Sequence, residues 1–78
     1  MIYAILILDD AGRVIGTIRS RSRGALAGDA KRLEQQGIPY VLLSTRDLDP
    51  EQRQLLANCL TQPKNYVWQD GQLTTGDN

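Results

Sequence analysis

The segment Tyr3–Leu8 constrains the fold of this chain most, because it is apolar at every position. A strand that is apolar on both faces belongs in the middle of a sheet, so we expect a central strand here. A short glycine-containing loop follows, and Val14–Ile18 is predicted to return as a second strand in an antiparallel hairpin. On regular strand geometry, Val14, Gly16 and Ile18 would share one face of that strand.

The middle of the chain predicts a helix and then a third strand. The helix is expected over Ala25–Gln36, after a polar, basic segment, Ser20–Gly24, that we interpret as a frayed strand end or loop. Its apolar residues recur at helical spacing: Leu26, Ala30 and Leu33. The glycine and proline that follow favour a helix end, since glycine suits the C-cap and proline cannot continue the helix. The apolar segment Tyr40–Leu43 is then predicted to be a short buried strand.

A second helix has the clearest local signal in the sequence. Asp49 can cap the helix and Pro50 suits its first position. Gln52 is placed to complete a capping box with Asp49. The residues of this helix that we expect to be buried form one apolar stripe: Leu55, Leu56, Cys59 and Leu60. Pro63 helps to end the helix.

The end of the chain predicts a hairpin. Tyr66–Gln69 and Gln72–Thr74 flank Asp70-Gly71, a dipeptide that strongly favours a two-residue turn. The element order is therefore ββαβαββ, an α+β fold with a small mixed or antiparallel sheet and two short helices. We expect one domain over residues 1–78, in which residues 72–78 form a partly flexible tail if no partner holds them.

Composition limits the classes of partner. The chain has nine basic and nine acidic side chains, so no net field attracts it to nucleic acid or to a membrane surface. One cysteine excludes an internal disulfide bond and fits synthesis in a reducing cytoplasm. A chain of this size often gains stability from partners, so we expect self-association or docking on another protein.

We predict no enzymatic activity and no cofactor or metal. Asp47, Asp49 and Glu51 alternate, and hard cations favour such clusters of oxygen ligands, but helix capping explains these acids better. Cys59 lies on the apolar stripe, and the chain has no histidine to activate it as a nucleophile. We therefore interpret Cys59 as a buried structural residue.

Three arginines alternate with serines: Arg19, Arg21 and Arg23. In an extended segment their side chains would face one side at a spacing of about 7 Å. The neutral chain disfavours binding of nucleic acid by this ridge. The ridge is interpreted either as a solvated edge that discourages aggregation or as the polar rim of a surface that docks on an acidic protein.

The aromatic residues of the last hairpin leave two interpretations open. Tyr66 and Trp68 share one face of their strand. That face can complete the core, or it can supply interface anchors together with Leu73, because Tyr and Trp are enriched at binding hot spots. The hairpin also offers a sheet edge for strand addition.

The chain opens with Ile2–Ile15 and closes with Tyr66-Val67 followed by Asp70–Leu73, and Asp47–Pro50 precedes that ending. These segments resemble short proteins that are encoded near the tail and tail-fibre genes of bacteriophages. The middle of the chain departs from the pattern, because the Ser-Arg segment and the helix Asp49–Leu60 look like insertions.

The resemblance implies a non-enzymatic bacteriophage virion protein, structural or accessory, that acts as an adaptor in the tail, baseplate or fibre. It would be made in the bacterial host cytoplasm and would dock on other protein subunits in multiple symmetric copies. The alternative is a small phage- or prophage-encoded inhibitor that binds a host defence or regulatory protein. A nucleic-acid-binding module that uses the arginines is a further alternative, and the partner, copy number and place in the virion stay open.

Overall fold

The computed structural model of the chain describes residues 2–76. They form five strands and two α-helices: β1 Tyr3–Leu8, β2 Val14–Ser20, α1 Arg23–Gln35, β3 Tyr40–Ser44, α2 Pro50–Thr61, β4 Tyr66–Gln69 and β5 Gln72–Thr75. Short 3-10 turns, Thr45–Asp47 and Pro63–Asn65, precede and follow α2. The predicted α+β class and element order are confirmed.

The strands form two antiparallel sheets, of three strands and of two. The larger sheet has the order β2-β1-β3, so β1 is its central strand, as its apolar sequence predicted. The smaller sheet is the β4–β5 hairpin. The third strand does not match its prediction: all five residues of β3 are only half-buried, because β3 lies at an edge of the larger sheet.

The two faces of β1 pack into two separate apolar clusters. On one face, β1 contacts α2 and the β4–β5 hairpin through a cluster that includes Leu6, Leu56 and Leu73. On the other face, Ile5 packs against Leu26 of α1. The larger sheet is therefore a middle layer, with α1 on one side and α2 and the hairpin on the other.

A β-bulge in β2 changes which residues face each cluster. The pairing with β1 shifts at Ile15, which is the extra residue on β2. Val14 therefore packs with the α2 cluster, whereas Ile18 packs with the α1 cluster. The prediction that Val14, Gly16 and Ile18 share one face is wrong, because one inserted residue exchanges the faces of all residues beyond it.

Local sequence signals predicted the C-terminal end of α1 but not its start. The helix begins at Arg23, two residues before the predicted start, and Ser20 belongs to β2. Its C-terminus is a Schellman motif, in which Gly37 has a φ of +70° and its N–H donates to Glu34 O, while Ile38 N–H donates to Leu33 O. The predicted glycine cap is thus confirmed.

The amino-terminal cap of α2 is confirmed in part. Pro50 is the first helical residue, and Asp49 Oδ1 accepts a hydrogen bond from Gln52 N–H at 2.8 Å. The predicted capping box is wrong, because the Gln52 amide does not turn back to Asp49. It bonds both the N–H and the C=O of Leu73 in β5 instead.

The last hairpin has the predicted turn. Asp70 and Gly71 both have positive φ, +55° and +77°, as a type I′ turn requires. Strand β5 extends to Thr75 and buries Leu73, so most of the described part of the expected tail, residues 72–76, is strand. Residues 77 and 78 lie outside the described residues.

Candidate functional site

Two of the residues predicted as interface anchors are buried within this chain. Tyr66 is 8% exposed and Leu73 is 1% exposed, and both belong to the cluster beneath β1 and α2. Trp68 is half-buried and packs against the same cluster. The assignment of Tyr66 and Leu73 as surface anchors is therefore corrected, because the aromatic face of β4 completes the core.

The three arginines do not form one ridge. Arg19 lies in β2, Arg21 in the bend after it, and Arg23 in the first turn of α1. Arg19 and Arg21 line one open hollow, beside Ile2, whereas Arg23 lines a different hollow beside Asp47. The extended segment that would align all three side chains ends before Arg23, so the predicted ridge is corrected to two separate groups.

The residues considered for catalysis or metal binding lie in surroundings that are typical of structural residues. Cys59 is fully buried, and its burial raises the pKa of the thiol to about 11, so the reactive thiolate is scarce at neutral pH. Residues 2–76 contain no group of three or more His, Cys, Asp or Glu side chains that could hold a metal ion. In the same part of the chain, no helix has the length and apolar character needed to cross a membrane.

The edges of the strands are the remaining candidate sites, and a side chain closes one of them. Leu73 N–H and C=O point away from β4, and the Gln52 amide bonds both groups, at 3.0 and 3.2 Å. A primary amide can direct its acceptor oxygen and one N–H donor to the same residue, as a neighbouring strand would. Gln52 therefore covers the outward backbone groups of Leu73 at the outer edge of β5.

The outer edge of β4 is closed by the loop between β1 and β2. Trp68 N–H donates to Gly12 O at 2.8 Å, and Arg13 forms an isolated bridge with Val67. Arg13 also donates to Lys64 O at 2.7 Å. Gly12 has a φ of +87°, and a Cβ at this position would lie 2.8 Å from Trp68 O, so this contact requires glycine.

The hydrogen bonds at the two ends of the β1–β3 pair determine which backbone groups of β3 point outward. Leu8 N–H donates to Pro39 O at 2.9 Å, and Thr45 N–H donates to Ile2 O at 3.0 Å. Because every second residue pair in an antiparallel ladder is hydrogen-bonded, the odd-numbered residues of β3 bond β1. The even-numbered residues direct their N–H and C=O groups away from the sheet.

Three residues of β3 therefore form an open edge: Tyr40, Leu42 and Ser44. Within residues 2–76, no hydrogen bond reaches the backbone N–H or C=O of these residues. The strand has no charged residue, proline or bulge, although such features normally protect an exposed edge from pairing. We call Tyr40–Ser44 and its outward backbone groups the β3 edge.

The side chains of the β3 edge add apolar surface on both faces of the sheet. Tyr40 and Leu42 extend the cluster under α1, and Val41 and Leu43 extend the cluster under α2. All four are only partly buried, because the sheet stops at β3. A further strand placed here would gain backbone hydrogen bonds and would bury apolar side chains on both faces.

Comparisons with protein-family models, with curated proteins and with solved structures found no match to this chain. The sequence prediction had missed the β3 edge, because an apolar segment such as Tyr40–Leu43 has the same pattern in a central strand and in an edge strand. Only the strand order distinguishes the two positions.

Proposed function

We propose that this chain is a non-enzymatic protein that docks on other protein subunits by strand addition at the β3 edge. The observation that carries the proposal is that the edge is open and uncharged, whereas the first loop bonds the outer edge of β4 and the Gln52 amide bonds Leu73 at the outer edge of β5. Strand addition uses backbone hydrogen bonds for affinity and the alternating side chains for specificity.

The expected gain supports docking of moderate strength. Tyr40, Leu42 and Ser44 each offer one N–H and one C=O, and a hydrogen bond of this kind contributes about 0.5–1.5 kcal/mol net. The half-exposed side chains of β3 add an apolar contribution of about 25 cal/mol for each Å² that a partner covers. Binding also costs translational and rotational freedom, so one such edge gives a modest interface.

We propose further that the docking takes place in a bacteriophage virion, in the tail, baseplate or fibre. The resemblance of Ile2–Ile15, and of the ending Tyr66-Val67 with Asp70–Leu73, to short phage proteins supports this setting. A modest interface suits a symmetric assembly, because the same weak contact is made in many copies of the chain and these contacts act together.

Peptide mass spectrometry on gradient-purified virions of the encoding phage or induced prophage tests the setting. We expect the chain at a fixed ratio to the major tail protein. Its presence in infected-cell lysate but absence from particles would contradict the virion role and would favour the host-protein inhibitor.

Complementation tests the docking mode in the same particles. Leu42→Pro removes one outward N–H from the β3 edge, and Thr17→Pro removes an outward N–H from β2 as a matched control. We expect the Leu42 variant to be depleted from virions and the Thr17 variant to be retained. Equal incorporation of the two folded variants would contradict docking at the β3 edge.

A further inference from the structure

We propose that the strand added at the β3 edge is β3 of a second copy of this chain, antiparallel, with the two-fold axis at Leu42. This inference rests on the proposed function and names its partner. The two three-stranded sheets would join into one continuous sheet of order β2-β1-β3-β3-β1-β2.

Hydrogen-bond geometry selects this register. A two-fold axis at Leu42 places Tyr40 opposite Ser44 of the other copy and Leu42 opposite its own equivalent. Each of these residues points outward, so every outward N–H and C=O of one copy meets one from the other. The β3 edge is therefore complementary to itself.

Neighbouring two-fold registers use fewer of these groups. With the axis at Val41, Ser44 would face Ile38, whose N–H already donates to Leu33 O. With the axis at Leu43, Tyr40 would face Arg46, whose N–H already donates to Ser44 Oγ. The register at Leu42 satisfies all the outward groups of the β3 edge without breaking a bond within either chain.

Charge on α1 complements the same axis. Arg23 lines a hollow with Leu42 and Ser44, so it lies on the side of α1 that faces β3. Glu34 follows eleven residues later, which places it within about 20° of Arg23 around the helix and about 16 Å along it. Both side chains are exposed, and within residues 2–76 neither forms an ion pair.

The two-fold axis brings these opposite charges together. Because α1 packs across the sheet and runs from the Ser44 end of β3 towards the Tyr40 end, an axis at Leu42 would bring Arg23 of one copy towards Glu34 of the other, twice. Because α1 packs on the central strand β1, the two α1 helices would be separated by about three strand spacings, roughly 14 Å, a gap that Arg and Glu side chains can span. The same arrangement brings together the half-exposed apolar side chains of both β3 strands.

Sedimentation velocity on the purified full chain tests the inference, over about 1 μM to 1 mM, the range in which small interfaces dissociate. We expect a reversible monomer–dimer equilibrium for the natural chain. Leu42→Pro should raise the dimer Kd about 10- to 100-fold, since it removes one outward donor from each copy at the axis. Thr17→Pro, the control on β2, should leave the Kd within about twofold.

A charge-swap cycle tests the partner and the register together, with exposed substitutions that leave the core unchanged. Arg23→Glu and Glu34→Arg should each raise the dimer Kd about two- to fivefold, because each places like charges across the axis. The double variant Arg23→Glu/Glu34→Arg should restore the original Kd. Recovery is expected only if Arg23 of one copy lies beside Glu34 of another.

Other outcomes separate this inference from the proposed function. Pairing with a second copy is overturned if the chain sediments as a monomer at every concentration. It is also overturned if a dimer forms but its Kd is unchanged by Leu42→Pro and by the charge swaps. If virions nevertheless exclude the Leu42→Pro variant and retain Thr17→Pro, the β3 edge docks on a strand of a different subunit. If the chain is a monomer throughout and virions retain both variants, strand addition itself is contradicted.

Discussion

The two edge strands of the larger sheet, β2 and β3, differ in the features that protect an edge from pairing with another strand. On β2, a bulge at Ile15 interrupts regular pairing, Arg19 places a charge on the edge, and the loop before the strand contacts β4. On β3, five uncharged residues run without a bulge, and every second backbone N–H and C=O points outward. The bulge and the charge are features that natural sheets use against unwanted pairing, and β3 has neither.

Protection of an edge has a structural cost. The bulge leaves Ile15 48% exposed, and the contact between the first loop and β4 requires positive φ at Gly12. Closure of β5 uses the side chain of Gln52, which would otherwise be available for a capping box. Contacts within the chain thus cover backbone groups of β4 and β5, whereas within residues 2–76 no contact covers the outward backbone groups of the β3 edge.

The largest expected effect on the free energy of unfolding comes from disrupting the contact that covers the edge of β4. Gly12→Ala should lower the free energy of unfolding by about 2–4 kcal/mol, because it combines an unfavourable φ with a Cβ 2.8 Å from Trp68 O. Gly71→Ala is the matched control, since Gly71 also has positive φ but no atom within 4 Å of a Cβ, and it should cost about 1 kcal/mol. Urea denaturation measures both variants, and equal losses would show that the Gly12–Trp68 contact adds nothing.

A smaller effect is expected where a side chain closes the edge of β5. Gln52→Ala should lower the free energy of unfolding by about 1–3 kcal/mol, because it leaves Leu73 N–H and C=O without partners in a partly buried place. Gln54 lies on the exposed face of the same helix, so Gln54→Ala serves as the control. It should change the free energy of unfolding by less than about 0.5 kcal/mol. Thermal unfolding measures both variants. If Gln52→Ala and Gln54→Ala lowered the free energy of unfolding equally, the proposed role of Gln52 would be refuted.

The smallest effect on stability is expected from adding a charge to either edge of the larger sheet. These substitutions test whether the edges of β2 and β3 differ in self-association. Thr17→Lys should change the free energy of unfolding by only about 0.5 kcal/mol, since its side chain lies at a sheet edge. Ser44→Lys should cost about 1 kcal/mol, because it also removes the hydrogen bond from Arg46 N–H to Ser44 Oγ. Only Ser44→Lys should weaken self-association, because its charge lies on the open edge. Light scattering at increasing concentration checks this, and equal behaviour of the two lysine variants would remove the distinction between the edges.

Local signals in the sequence predicted most of the elements. The apolar segment Tyr3–Leu8, the cap at Asp49 and the turn at Asp70-Gly71 each act through residues close in the chain, so their outcomes were predictable. These signals fixed the element order and the central place of β1.

The features that distinguish the edges depend on contacts between distant residues. The bulge at Ile15 depends on pairing with β1, and Gln52 bonds Leu73, which lies 21 positions away. The burial of Tyr66 and the exposure of β3 follow from which strands become neighbours. A pattern of apolar residues does not contain that information, so the candidate site emerged only with the strand order.

Amide hydrogen exchange, followed residue by residue with NMR, tests most directly the claim that the two edges differ in function. The outward amides of Tyr40, Leu42 and Ser44 on β3 are compared with those of Thr17 and Arg19 on β2, at increasing protein concentration. We expect the three β3 amides to become protected as the concentration rises, while the two β2 amides exchange rapidly throughout. Rapid exchange at both edges at every concentration, or equal protection of both, would contradict the assignment of the β3 edge as the surface that pairs.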